Sequence, residues 1–203
     1  MNRPMERTKR AALIEELCRQ SDLAERLPLV PPSAKVRGLY FGNIERSVSL
    51  AGHGERYASL FPKRFATVLW HPATDFLVQL AVGGALLAGP DRVHEGMFDL
   101  GRGNAVAFGE SLLGRTLLRL LARDPKRLLR QGLAARRQSC SFGRWELELR
   151  SEREAVVTMI EEYLYIESFL MGAAQGTFDA IGIPVRTEVV MRDRFNGQHF
   201  LHW

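Results

Sequence analysis

The hydrophobic repeat of this chain changes period part-way along, and that change limits the folds open to it. Up to residue 135 apolar side chains recur three and four positions apart. Beyond it they alternate, except across one further stretch of helical spacing. Period 3.6 marks amphipathic helix and period 2 marks half-buried strand. The order read from the chain is therefore helices, hairpin, helix, hairpin.

The helical part divides at prolines and glycines. Residues 6–27 read as a first helix, with Leu13, Ile14, Leu17, Leu23 and Leu27 on its stripe. Pro28, Pro31 and Pro32 end it, because proline removes a donor and restricts the residue before it. Helical spacing resumes over 33–52 through Leu39, Tyr40, Ile44, Val48 and Leu50, then over 55–61. Pro72 opens a helix that carries Gly83-Gly84, and 91–109 forms another with Gly101-Arg102-Gly103 inside it. Gly101 and Gly103 read as packing glycines, and Gly83-Gly84 as close helix packing or simply a weak point in the helix. A strongly amphipathic helix spans 112–123, and Pro125 opens the next, through Ala135.

The strand signals lie in two places. Residues 139–142 and 145–149 alternate around Gly143 and predict a hairpin, and 155–160 adds a strand. Residues 163–181 return to helical spacing. Residues 185–192 and 198–203 predict a second hairpin, turning at Phe195-Asn196-Gly197. Trp70, Trp145, Tyr163, Phe169 and Trp203 are expected mainly in the core. The expected fold class is α+β: N-terminal helices packed on a small antiparallel sheet made of two C-terminal β-hairpins separated by a helix. Residues 1–32 read as a helical arm with a Pro-rich connector, and 33–203 as one binding domain.

Composition supports a globular chain. Its 203 residues are 46% hydrophobic and 25% charged, enough for a core without staples. The two cysteines, Cys18 and Cys140, lie far apart and predict reduced thiols in the cytoplasm. Cys140, near Arg136 and Arg137, is a candidate for a lowered pKa, set against a buried structural thiol. The weakly polar run 76–90 is shorter than a membrane span of ~20 residues.

Several strings, taken in order and spacing, resemble a myxobacteria-restricted family of paralogues of unknown function. They are Arg37-Gly38-Leu39-Tyr40-Phe41, Asp75-Phe76-Leu77, Gly114-Arg115-Thr116-Leu117-Leu118, Asp124-Pro125-Lys126-Arg127-Leu128-Leu129 and a closing strand ending in Trp203. That family is similar in layout to a wider ligand-binding superfamily. It includes 4-vinyl-reductase-type domains, small TRAPP vesicle-tethering subunits and haem nitric-oxide/oxygen-binding domains. The resemblance implies helices covering an antiparallel sheet, small-molecule sensing or protein assembly, and a homodimer. The haem branch carries a Tyr-x-Ser-x-Arg motif for the propionates. The nearest string here is Tyr57-Ala58-Ser59-Leu60-Phe61, with Phe61 in place of the arginine.

The residues themselves predict no catalytic machinery. The histidines are His53, His71, His94, His199 and His202, with no H-x-x-x-H spacing. His199 and His202 fall on opposite faces of a strand. His94 is a candidate lone haem ligand on a helix. Phe108-Gly109-Glu110-Ser111-Leu112-Leu113-Gly114 is not a nucleophile elbow, and Gly101-x-Gly103 lacks the third glycine of a phosphate loop. Glu161-Glu162 and Glu15-Glu16 read as solvated faces.

The net charge of +5 is concentrated between Arg115 and Arg150, where ten basic residues (Arg136 among them) meet three acidic ones. Arg115, Arg119, Arg123 and Arg127 are the candidate anion or partner surface, since arginine forks bind carboxylate and phosphate. Nucleic acid is disfavoured, because the stretch lacks interleaved aromatics. The expectation is a non-catalytic regulatory or scaffold domain binding a protein partner or a small hydrophobic ligand. The alternative is a sensor carrying haem or a lipid.

Overall fold

A computed structural model describes residues 3–110 and 124–203, with side chains over 8–104 and 124–203. Helix α1 is Arg3–Leu17 and α2 is Leu23–Arg26. The single helix expected over 6–27 is broken because Asp22 adopts a left-handed backbone, φ 50°, which Asp tolerates better than most side chains. Leu17, Cys18, Leu23 and Val30 are buried in the same core as the rest of the chain. The helix expected from residue 33 begins later. Strand β1, Lys35–Arg37, comes first and pairs antiparallel with β2, Trp70–Pro72. Three-residue strands are too short to show alternation. Helix α3, Leu39–Leu50, and α4, Gly54–Leu60, follow β1.

Helix α5, Ala73–Ala88, is the centre of the molecule, with buried residues all round its circumference. Only a helix packed on every side tolerates so apolar a surface. Helix α6, Val93–Glu110, lies against it. A Cβ on Gly96 would stand 2.0 Å from the Gly84 carbonyl oxygen, so glycine is required at that crossing. The Gly101 expectation is met in the same way: a Cβ there would stand 1.9 Å from the Phe169 carbonyl oxygen.

Helix α7, Pro125–Ser139, has Pro125 in its first turn, and the Asp124 carboxylate accepts from the Arg127 N–H at 2.8 Å. These are ordinary start signals. The helix runs four residues further than expected, and this corrects the first hairpin. Residues 139–142 form no strand; Cys140 makes one isolated bridge to Val36. The hairpin is instead β3, Arg144–Leu149, with β4, Glu154–Ile160. Helix-favouring residues through Arg137 carry α7 to the turn, where Gly143 has φ 76°.

A π-helical turn, Ile166–Leu170, leads into α8, Met171–Asp179. Strands β5, Arg186–Asp193, and β6, Asn196–His202, close the chain, and the sheet order is β3-β4-β6-β5, antiparallel throughout. The turn is Arg194-Phe195, not Asn196-Gly197, which belong to β6. The Asp193 carboxylate fixes it by accepting from the Phe195 N–H at 2.8 Å. Asn196 serves as a brace, its side-chain oxygen accepting from the Glu161 N–H at 3.0 Å. Trp70 also departs from expectation: it is 37% exposed, with the Arg37 guanidinium 4.0 Å above its ring. No single helix among the described residues is long and apolar enough to cross a membrane.

Candidate functional site

Helix α7 packs across one face of the sheet, and α8 flanks the gap between them. A cavity of about 160 Å³ remains there. Leu128, Leu129 and Leu133 of α7 face Val157 and Met159 of β4, Leu201 of β6, and Leu170 and Phe178 from the α8 side. Four polar side chains join this apolar wall: Tyr40, Arg136, Thr177 and His199. The Thr177 hydroxyl is satisfied, donating to the Ala173 carbonyl at 2.7 Å.

Arg136 belongs to the Arg-rich stretch but does not lie on the surface. It falls on the apolar stripe of α7 with Leu128, Leu129 and Leu133, so the helix drives it inward. Its Nη2 donates to Glu162 Oε2 at 2.5 Å, and its Nε donates to the same oxygen at 3.2 Å. Glu162 is fully buried. The Trp145 indole donates to Glu162 Oε2 at 2.7 Å, and the Leu164 N–H donates to Oε1 at 3.0 Å. The expectation of a solvated Glu161-Glu162 pair is therefore wrong for Glu162, because a left-handed backbone at Glu161 (φ 52°) turns the two side chains to different environments. Burial is the largest single influence on Arg136 and opposes its charge, but the Glu162 carboxylate beside it, together with Cys140 and Tyr40, raises the guanidinium pKa on balance. Its Nη1 is buried and has no hydrogen-bond partner among the described residues.

His199 is 2% exposed, and its Nε2 stands 2.9 Å from the Ile166 carbonyl oxygen. Burial pulls its pKa down to about 4, against a smaller opposing contribution from that hydrogen bond. The imidazole is therefore neutral at pH 7. A carbonyl partner requires the proton on Nε2, which donates.

The bend 161–165 that receives Arg136 also receives the N-terminal arm. Arg26, 1% exposed, donates through Nη1 to the carbonyls of Tyr163 and Arg194, both at 3.3 Å. Its guanidinium lies 4.1 Å over the Tyr165 ring, and the Tyr165 hydroxyl donates to the Ser21 carbonyl at 2.8 Å. One short segment thus joins the cavity's ion pair to the arm, and a π-helical turn follows it directly. Such turns mark functional positions often enough to be informative.

The other candidate residues lie elsewhere. Arg115, Arg119 and Arg123 fall outside the described residues. Arg127 is exposed in the first turn of α7. His94 does not line the cavity; its Nδ1 is 3.4 Å from the Ser168 hydroxyl. Tyr57 is buried on α4, and its hydroxyl donates to Gln79 Oε1 at 2.7 Å, so that string is a helix–helix contact away from the cavity. Burial pushes the Cys140 thiol up to about 12, which overturns the lowered pKa considered for it. Among the described residues no cluster of three metal-ligating side chains occurs.

The sequence matches the model of a protein family of unknown function, DUF2378, over residues 30–203. The chain belongs to the DUF2378 family. No curated protein matches it. Among solved structures this DUF2378 chain is similar to an Fe(II) unliganded H-NOX protein from K. algicida, with a TM-score of 0.56, 11% identity, and coverage of 82% of this chain and 95% of that one. A mutant of the same H-NOX protein gives a TM-score of 0.58 at 11% identity, over 82% of this chain and 95% of that one. A mutant H-NOX from T. tengcongensis gives 0.59 at 11% identity, over 82% of this chain and 96% of that one. The DUF2378 chain therefore has an H-NOX-like fold.

Proposed function

We propose that this protein is a non-catalytic regulatory domain that binds a small hydrophobic ligand in the cavity beneath α7. The carrying observation is the cavity itself. It is mainly apolar, it lies between α7 and the sheet, and its polar wall groups converge from α3, α7, α8 and β6. An apolar cavity of roughly 150 Å³ is large enough to hold a benzene-sized molecule. Arg136 and Glu162 couple the cavity to the bend that holds the arm. Ligand entry that shifts Arg136 would thus be felt at Arg26.

The cofactor-carrying alternative has the fold in its favour. The cavity residues do not fit haem. A tetrapyrrole is a drug-sized ligand, and such ligands occupy roughly 300–1,000 Å³, against about 160 Å³ here. The imidazole on the wall, His199, sits on a strand and donates Nε2–H to Ile166. The same size argument applies to a long acyl chain.

Native against denaturing mass spectrometry of freshly purified protein, together with a visible spectrum after addition of hemin, tests the choice. The proposal expects no Soret shift beyond that of free hemin. A stoichiometric haem complex would overturn it in favour of the alternative. A protein partner and a homodimer belong to the same proposal. A monomeric mass by light scattering at micromolar concentration would contradict the dimer.

A further inference from the structure

Resting on that ligand-binding reading, the geometry also defines the chemistry of the ligand. Buried polar groups in folded proteins are nearly always paired, and an unpaired donor is costly. Arg136 forms part of the cavity wall, yet its buried Nη1 has no acceptor among the described residues. The Phe142 ring lies 4.8 Å from the guanidinium carbon and the Trp145 ring 5.4 Å from it. Aromatic faces offset part of the deficit, but they supply no oxygen.

An anion is a poor partner for Nη1. Glu162 already neutralises the guanidinium, with its Oε2 2.5 Å from Nη2. A second carboxylate or a phosphate would be buried beside that carboxylate, and like charges at such a distance repel strongly in a poorly solvated site. A cation would find no free carboxylate, because Glu162 already accepts from Arg136, Trp145 and Leu164. A wholly apolar molecule would fill the volume and leave the donor unpaired.

We propose that the cavity takes a neutral molecule, about the size of a singly substituted ring, whose carbonyl or similar acceptor oxygen bonds Nη1 of Arg136. The apolar body then rests among Leu133, Met159, Leu170 and Phe178.

Three probes of similar size separate the possibilities: acetophenone, ethylbenzene and benzoate, each titrated calorimetrically into the full chain. Acetophenone is expected to bind about tenfold tighter than ethylbenzene, the gain typical of one hydrogen bond to a charged donor, and benzoate is expected not to bind. Equal affinity for acetophenone and ethylbenzene would overturn the assignment of Nη1 and leave the ligand-binding reading standing. Preferential binding of benzoate would overturn it in favour of an anion site. Failure of both neutral probes to bind would overturn the ligand-binding reading as well. The double variant Arg136→Met/Glu162→Gln, which removes both charges together, is expected to erase the preference for acetophenone while still binding ethylbenzene. A preference retained in that variant would also overturn the assignment. Where the variant does not fold, the wild-type comparison decides alone.

Discussion

Arg136 and Glu162 form an ion pair inside the protein, Nη2 to Oε2 at 2.5 Å, with side-chain exposures of 7% and 0%. It ties α7 to the bend that leaves β4. Removing one partner leaves the other buried and uncompensated, which typically costs about 3–5 kcal/mol. Glu162→Gln and Arg136→Met are each expected to destabilise by that order in urea unfolding. The double variant is expected to recover most of the loss. Additive losses would show that the two side chains do not act as a pair.

The state of His199 predicts a pH dependence. Its folded pKa, about 4, lies below its ordinary value of 6.5. The unfolded chain therefore binds the proton first as the pH falls. The stability tied to this group is fully present above pH 6.5 and is lost as the pH falls from there towards 4. The full span is worth roughly 3 kcal/mol. His199→Leu is expected to flatten the fall in urea midpoint between pH 7 and pH 4.5. An unchanged slope would show that His199 does not cause it.

Arg26 holds the arm to the bend through the Tyr163 carbonyl and the Tyr165 ring, and to the β5–β6 turn through the Arg194 carbonyl. Arg26→Ala removes those bonds and leaves both carbonyls short of a donor, at a cost of roughly 2–4 kcal/mol. Hydrogen exchange is expected to quicken in residues 8–30 and 163–167 before it does so in the sheet. Uniform quickening would mean that the arm and the sheet open together.

Both thiols should be inert in the native protein. Cys18 and Cys140 are buried, and burial pushes each pKa up to about 12. Ellman's reagent is expected to report no thiol at pH 8 until denaturant is added, and two thiols afterwards. Rapid labelling of either residue in the folded protein would contradict this.

Much of the architecture is legible in the sequence, because the period of the apolar residues carries it. Pro125 marks the start of α7, and Gly101 marks a close crossing. The first hairpin departs from its local pattern because residues 139–142 alternate, while helix-favouring residues before them carry α7 on to Ser139. Strands β1 and β2 are too short to leave a pattern. The site leaves a fainter trace in the sequence. An arginine among many reads as surface, and Glu162 beside Glu161 reads as a solvated pair. One signal was available: Arg136 falls on the stripe of Leu128, Leu129 and Leu133, where a charge is costly unless paired. Its partner lies 26 residues away and is fixed by a left-handed bend that no local pattern announces.

The most direct test of the account is methyl NMR of the isotopically labelled chain titrated with ethylbenzene. The account predicts saturable shifts confined to methyls on the cavity wall, such as those of Leu128, Leu133, Val157, Leu170 and Leu201. Absence of saturable shifts, or shifts centred elsewhere in the molecule, would contradict it.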